Sequence, residues 1–147
     1  MRIEEKFTVA ASADTVWAFL TDPERVAAAL PGAEIAEQID ENTYSGGMAV
    51  KVGPLAAAYT GTVAFELDEE DRSAVVHAKG QGKAGMGSAD MKMTSRVVAL
   101  GPGETEVTVV ADLSVTGILA QLGRGMMQHV SKKMFKEFTE VVEKELT

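Results

Sequence analysis

Cysteine is absent from the sequence, and histidine is rare, with two residues among 147. Without cysteine the chain can form no disulfide, no thiolate zinc site and no cysteine nucleophile. The two histidines, His77 and His129, have no carboxylate or second histidine at ligand spacing, so no metal site is predicted. Neither cysteine-based nor metal-based catalysis is therefore predicted for this sequence.

Positive charge and long apolar runs are scarce as well. The formal net charge of -8 argues against nucleic acid as a partner, because its phosphates require a positive surface. Residues 1–6 alternate in polarity and lead into no apolar run, so neither a signal peptide nor a membrane span is predicted there. We therefore expect a cytoplasmic protein that forms one domain over residues 1–147, a length that supports a substantial core.

The order of the predicted elements indicates an α+β fold. Residues 3–9 alternate between apolar and polar side chains, as a half-buried strand does. Ser12 is a suitable N-cap for a first short helix, and Pro31 ends a second one. From there to Thr116, alternating segments separated by turn residues predict about six further strands. Tight turns between consecutive strands predict an antiparallel sheet. Several glycines inside these strands would let the sheet bend or bring its backbone close to another group; they are Gly46, Gly47, Gly61, Gly80 and Gly82.

Residues 117–147 predict one long terminal helix with two apolar stripes. The first stripe contains Leu119, Leu122, Met126, Val130, Met134, Phe138 and Val141, and the second contains Met127, Phe135, Val142 and Leu146. A helix that packs on one layer needs a narrower apolar arc. We therefore predict a curved sheet of about seven strands wrapped on this helix, with one stripe gripping the sheet and the other facing a cavity.

Apolar residues with inward parity predict a site for a lipophilic ligand. The predicted lining is Leu20, Leu30, Val50, Tyr59, Phe65, Val76, Met91, Met93, Val109, Leu113, Leu119, Leu122, Met126, Val130 and Met134. Tyr59, Ser95 and the backbone of the glycine residues are the polar groups that could orient a ligand there. A filled, dry core would use the same residue types, so both interpretations stay open at this stage.

The terminal helix also carries a basic cluster, which we define as Arg124, Lys132, Lys133 and Lys136. No acidic residue occurs between Asp112 and Glu137. Such a cluster predicts a docking surface for an acidic partner or for lipid headgroups, and the alternative is a solvated helix face.

Two patterns that suggest chemistry are weak. Residues 80–85 match GxGxxG, but a strand is predicted after them, so no helix N-terminus is available for a pyrophosphate. Glu5 and Tyr59 could face one cavity as an acid and base pair. A strand-end carboxylate in water and a core tyrosine with its hydroxyl at the rim are the preferred interpretations, and no catalytic residue is predicted.

Several segments together resemble a known family. Residues 12–23 (SADTVWAFLTDP), followed by Leu30-Pro31-Gly32, resemble the opening of the START-like (SRPBCC) helix-grip superfamily. Within it, residues 50–54, 59–61, 80–82, 101–105 and 117–124 are similar to the carbon monoxide dehydrogenase G-subunit family. Their order and spacing extend this resemblance over nearly the whole chain.

The resemblance implies a non-catalytic accessory protein, encoded with molybdenum hydroxylases of the carbon monoxide dehydrogenase type and coupling them to the membrane. It also implies a lipophilic ligand, with a respiratory quinone as the leading candidate, no covalently bound cofactor, and peripheral contact with the inner face of the membrane. Longer members of the family carry a tail beyond the terminal helix, and this sequence ends at Thr147. Two alternatives remain: an enzyme of the polyketide cyclase or hydrolase type on the same fold, and an assembly factor with a filled core.

Overall fold

A computed structural model describes residues 1–147 and contains one sheet, two short helices and one long helix. The elements in chain order are β1 (Arg2–Val9), α1 (Ala13–Leu20), α2 (Pro23–Ala29), β2 (Ala33–Asp40), β3 (Thr43–Val52), β4 (Leu55–Asp68), β5 (Ser73–Gly82), β6 (Ser88–Gly101), β7 (Glu104–Val115) and α3 (Gly123–Leu146). The predicted α+β order, with two short helices between the first and second strands, is confirmed.

All seven strands belong to one antiparallel sheet in the order β1-β7-β6-β5-β4-β3-β2. Strands β2 to β7 follow one another through short turns, and β1 pairs with β7. The edges of the sheet are therefore β1 and β2. Helix α3 packs along β1, and β2 carries two register shifts and exposed acids, which oppose pairing with another strand.

The two short helices begin at the predicted capping residues. The side-chain oxygen of Ser12 accepts a hydrogen bond from the backbone N–H of Thr15 at 3.2 Å, which caps α1. Asp22 caps α2 in the same way by accepting from the N–H of Glu24 at 3.2 Å. Pro23 occupies the first position of α2, where its missing N–H costs no helical hydrogen bond.

The terminal helix begins later than predicted. Gly117 and Gly123 have φ values of 78° and 84°, outside the right-handed helical region, and a short 3₁₀ turn, Leu119–Leu122, lies between them. A side chain on Gly117 would overlap the carbonyl oxygen of Met86, so glycine is required at this close approach. The prediction of helix from residue 117 is therefore wrong for the first six residues.

A first core lies where α1 and the C-terminal half of α3 cover the sheet. It contains Val9, Ala11, Ala13, Val16, Trp17, Phe19, Ala29, Ala74, Val97, Val107, Phe138 and Val142. The ring of Phe7 on β1 contacts Phe135 and Phe138 edge-on, with ring centroids 5.5 and 6.5 Å apart. These aromatic contacts fix α3 on β1.

A second, smaller core lies beneath the start of α3. It contains Ala57, Tyr59, Leu119 and Met127, and Leu55, Met86, Leu113, Val115 and Leu122 are among the partly buried residues packed against it. The two cores have no residue in common. They therefore anchor the two ends of α3 separately.

Candidate ligand-binding site

Two rows of side chains cross the concave face of the sheet between the two cores, and we call them the inner band. One row contains Phe65, Val76, Met93, Ala111 and Ile3, and the other contains Tyr44, Val63, Ala78, Met91 and Leu113. Each row runs from strand to strand through directly paired residues. The inner band is therefore a continuous, mostly apolar surface.

Most of the inner band is half-buried rather than buried. Phe65, Met91 and Met93 keep accessible surface, as do Val130 and Met134 on α3. Protein interiors normally pack so closely that central apolar side chains lose this surface. The partial exposure indicates that the sheet and the helix do not fill the space between them.

The structure separates the predicted ligand-binding residues into groups. The first group lies in the inner band and contains Phe65, Val76, Met91, Met93 and Leu113, and the second lies on α3 and contains Val130 and Met134. Tyr59, Leu119 and Leu122 belong to the second core or pack on it, whereas Leu20, Leu30 and Val109 pack against the first core. Val50 pairs with Ala57 near the hairpin between β3 and β4. The first two groups are the candidates for the lining of the central space.

Met126 does not belong to the packed side of the helix. Its side chain is 44% exposed, whereas that of the next residue, Met127, is 9% exposed and lies in the second core. The prediction that Met126 faces the sheet is therefore wrong. Both stripes have helical spacing, but α3 packs toward β1, which buries Met127 and Val142 of the second stripe and leaves Met126 and Val141 of the first accessible.

Tyr59 provides a polar group without a protein partner. Its side chain is 6% exposed, and its hydroxyl group is fully buried without a hydrogen bond. The predicted position at the rim is therefore wrong. Burial raises the pKa of Tyr59 above its ordinary value of 10.0, so the hydroxyl stays protonated at neutral pH and can donate a hydrogen bond.

A third row on the concave face has almost no side chains. Gly46, Gly61, Gly80 and Ala89 are directly paired across β3, β4, β5 and β6, and we call this row the crease. A Cβ on Gly61 would overlap the carbonyl oxygen of Lys79, and one on Gly46 would overlap that of Glu34. The neighbouring strands can approach this closely only because glycine occupies these positions, which lets the sheet fold sharply along the crease.

Two inward-facing titratable groups, Glu5 and Tyr59, lie far apart. Glu5 lies half-buried on β1, and the paired residues Val109, Ser95, Ala74 and Leu67 continue its row to β4. Tyr59 lies eight residues before Leu67 on that strand, roughly 26 Å along it. The two groups do not form the acid and base pair that general acid–base catalysis uses.

The other patterns lie on the surface. His77 and His129 are exposed, as expected for solvent-facing residues. The residues of the GxGxxG match form the end of β5 and a three-residue 3₁₀ turn before β6, so no helix follows them, as predicted. The four cations of the basic cluster are exposed, and none of them forms an ion pair.

Two of the hollows in the molecule are open to solvent. The larger, about 620 Å³, is lined by charged residues of the β4–β5 loop and by part of β6, which makes it unsuited to a lipophilic molecule. The smaller, about 310 Å³, lies beside the second core between β7 and the start of α3, and Leu113, Met127 and Arg124 are among its lining residues. One cation of the basic cluster therefore stands next to an apolar opening.

A polar network holds the β4–β5 loop against α1, and no pattern in the sequence indicated it. The indole N–H of Trp17 donates to the carboxylate of Glu69 at 2.6 Å. Arg96 donates to Asp71 at 2.5 Å, and this hydrogen bond lowers the pKa of the carboxyl group. These hydrogen bonds fix the loop beside the first core, which contains Trp17.

The comparison with family models decides which family this is. The model of the carbon monoxide dehydrogenase G-subunit (CoxG) matches residues 6–147. The chain belongs to this family. The resemblance noted in the sequence is thereby confirmed over almost all of its length. A search of curated protein sequences finds no match to this CoxG family member, and no helix of the structure has the length and apolar character needed to cross a membrane.

Several solved structures share the fold of this CoxG family member, and one of them is a START superfamily protein. A conserved protein from Geobacillus kaustophilus has a TM-score of 0.89 at 18% identity, covering 99% of this chain and 95% of that one. The Zhui aromatase/cyclase from Streptomyces sp. R1128 has a TM-score of 0.74 at 20% identity, with coverages of 99% and 93%. A START superfamily protein from Mycobacterium smegmatis has a TM-score of 0.69 at 16% identity, with coverages of 99% and 96%. At such low identities these similarities show the fold alone.

Proposed function

We propose that this protein is a non-catalytic carrier that binds one lipophilic molecule between its sheet and α3. The observation that carries the proposal is the inner band, which belongs to neither packed core as a unit and retains accessible apolar surface. Ligand sites are typically apolar hollows with few polar groups. Filling this space with an apolar molecule would remove the remaining surface from water, at roughly 25 cal/mol per Å².

A quinone with a prenyl tail fits the chemistry of this space. Its ring carries carbonyl oxygens that accept hydrogen bonds, and the buried hydroxyl of Tyr59 is a donor without a partner. Its tail is hydrocarbon and matches the side chains of Met91, Met93 and Met134, which adapt to irregular apolar shapes. A respiratory quinone is therefore the ligand that we propose.

Binding is favoured over catalysis by the positions of the inward-facing polar groups. Glu5 and Tyr59 lie in rows eight residues apart on β4, so these two groups could not act on one bond of a small substrate. The similarity to an aromatase/cyclase concerns the fold alone. An activity of the cyclase type would need a catalytic pair other than Glu5 and Tyr59.

Membership of the CoxG family supports an accessory role. We propose that the protein docks on a molybdenum hydroxylase of the carbon monoxide dehydrogenase type and links that enzyme to the quinone of the membrane. The basic cluster is the proposed docking surface, because its four cations are exposed and unpaired in a protein of net charge -8. The contact with the membrane would be peripheral and on the cytoplasmic side.

Calorimetric titration with a short-tailed quinone tests the carrier function. At about 0.3 kcal/mol per non-hydrogen atom, a quinone of about 20 such atoms would bind with a dissociation constant of tens of micromolar. We expect one molecule per chain and a negative heat-capacity change, which marks burial of apolar surface. No heat of binding at millimolar quinone would contradict the carrier function and favour an assembly factor with a filled core.

Charge reversal tests the docking surface. We expect Lys132→Glu with Lys133→Glu to slow association with the partner enzyme about tenfold at low salt, because opposite charges steer the encounter. The measurement is surface plasmon resonance with the immobilised enzyme. The control, Lys51→Glu with Lys79→Glu, changes the net charge equally at exposed positions on other elements. Equal slowing by both pairs would show an effect of net charge and contradict docking through the basic cluster.

A further inference from the structure

The crease and Tyr59 form one continuous surface on the inside of the sheet. A Cβ added to Gly80 would lie 3.2 Å from the Cβ of Tyr59 and 3.7 Å from the carbonyl oxygen of Thr60. The Tyr59 side chain therefore borders the crease directly. Its hydroxyl is more than nine-tenths buried with the rest of the residue and has no hydrogen-bond partner.

Overlap with backbone atoms explains why glycine occupies some positions of the crease, but not all of them. Gly46 and Gly61 must be glycine because a side chain there would overlap a carbonyl oxygen of the next strand. Gly80 is different, since its modest crowding comes from Tyr59 itself and from Thr60. Its missing side chain keeps space open beside the base of the Tyr59 side chain, whose buried hydroxyl has no partner.

The dimensions of the crease suit a flat ring. Inward-facing side chains flank it on both sides, and on β4 these are Tyr59 and Val63, four residues apart, or roughly 13 Å along the strand. The row crosses four neighbouring strands, which span roughly 14 Å. The floor between the flanking side chains consists of peptide groups and one methyl group, so a narrow, flat ring could lie along it.

We infer that the crease is the seat of a planar, carbonyl-bearing ring, with the Tyr59 hydroxyl donating a hydrogen bond to a carbonyl oxygen. This assignment rests on the proposed function and specifies how the ligand is oriented. The ring lies at the end beneath the start of α3, and the tail runs over the inner band toward Met134. The ring end is thus recognised by shape and one hydrogen bond, and the tail end by apolar contact alone.

Two probes without a tail test the assignment in the intact protein. Menadione carries two carbonyl groups on a flat bicyclic ring, and 2-methylnaphthalene has the same shape without them; the lack of cysteine excludes thiol addition to the quinone. We expect Tyr59→Phe to weaken menadione about fivefold and leave 2-methylnaphthalene unchanged, because the substitution removes only the donor. Gly80→Ala should weaken both about tenfold by filling the seat. Gly103→Ala, where a Cβ would meet nothing within 4 Å, should change neither.

The outcomes separate this assignment from the proposed function. A wild-type protein that binds a short-tailed quinone, with unchanged affinity in both Tyr59→Phe and Gly80→Ala, would overturn the ring seat and leave the carrier function standing. A wild-type protein that binds neither the short-tailed quinone nor menadione would overturn both. Thermal unfolding checks that Tyr59→Phe is folded. We expect it to be, because this variant keeps the ring that packs in the second core.

Discussion

Replacing Gly61 by alanine is expected to lower the free energy of unfolding by about 3 kcal/mol. In an ordinary strand the same substitution stabilises, by roughly 0.5–1 kcal/mol, because glycine loses more conformational entropy on folding. The sign is reversed here because the new methyl group would overlap the carbonyl oxygen of Lys79 on the next strand. The two strands would have to move apart, which opens the fold of the sheet along the crease. Urea denaturation monitored by circular dichroism measures the change.

Gly103→Ala is the matched control for that substitution. It lies in the turn between β6 and β7, and a Cβ there would meet nothing within 4 Å. We expect its unfolding free energy to stay within about 0.5 kcal/mol of wild type, as for most surface substitutions. If Gly61→Ala were as stable as Gly103→Ala, the sheet would not be folded along the crease as the structure shows.

Replacing Met93 by tryptophan is expected to weaken quinone binding at least about 100-fold. Met93 lies in the inner band, directly paired with Val76 and Ala111, and its side chain is half-buried. A larger ring would occupy the space that the ligand requires. Filling an empty apolar space adds contacts, so the unfolding free energy should stay the same or rise by about 1 kcal/mol. Calorimetric titration and urea denaturation together measure both effects.

Val98→Trp separates blocking of the site from any general effect of a new tryptophan. Val98 lies on the same strand with the opposite parity, and it is 41% exposed on the outer face. We expect this variant to bind quinone as wild type does. A large loss of stability in Met93→Trp would show that the core is already filled, since overpacking a closed core typically costs about 1–3 kcal/mol.

The sequence was sufficient to predict the elements because their signals are local. Alternation of polar and apolar residues marks the strands, and Ser12 and Pro31 mark where the short helices begin and end. The start of the long helix was predicted too early because Gly117 adopts its backbone conformation to approach Met86, a residue of the turn before β6. That approach is a tertiary contact, and helical spacing carries no information about it.

The candidate site was predicted only in part, for the same reason. Strand parity predicted Phe65, Met91 and Met93 on the concave face, and the structure pairs Phe65 and Met93 with the buried residue Val76. Helical spacing could not show whether Met126 or Met127 is buried, because this depends on the position of β1 beside α3. The glycines were recognised as places where the sheet could bend, but their alignment into one crease depends on strand register.

Sequence patterns could not predict the buried hydroxyl of Tyr59 or the hydrogen bonds of the β4–β5 loop. Whether a tyrosine hydroxyl lies at a rim or in the interior depends on what covers it, and Leu119 and Met127 cover Tyr59 from the other end of the chain. The hydrogen bond between Trp17 and Glu69 joins residues 52 positions apart. Neither arrangement has a spacing or composition that could have identified it.

A crystal structure of the protein grown with a short-tailed quinone tests the central claim most directly. We predict electron density for one quinone between the concave face of the sheet and α3, with its ring on the crease and a carbonyl oxygen within hydrogen-bond distance of the Tyr59 hydroxyl. Met93 and Met134 should contact the tail. The claim would be contradicted if Met93 and Met134 packed directly against each other with no space between them, and the quinone were absent or bound on the outer surface.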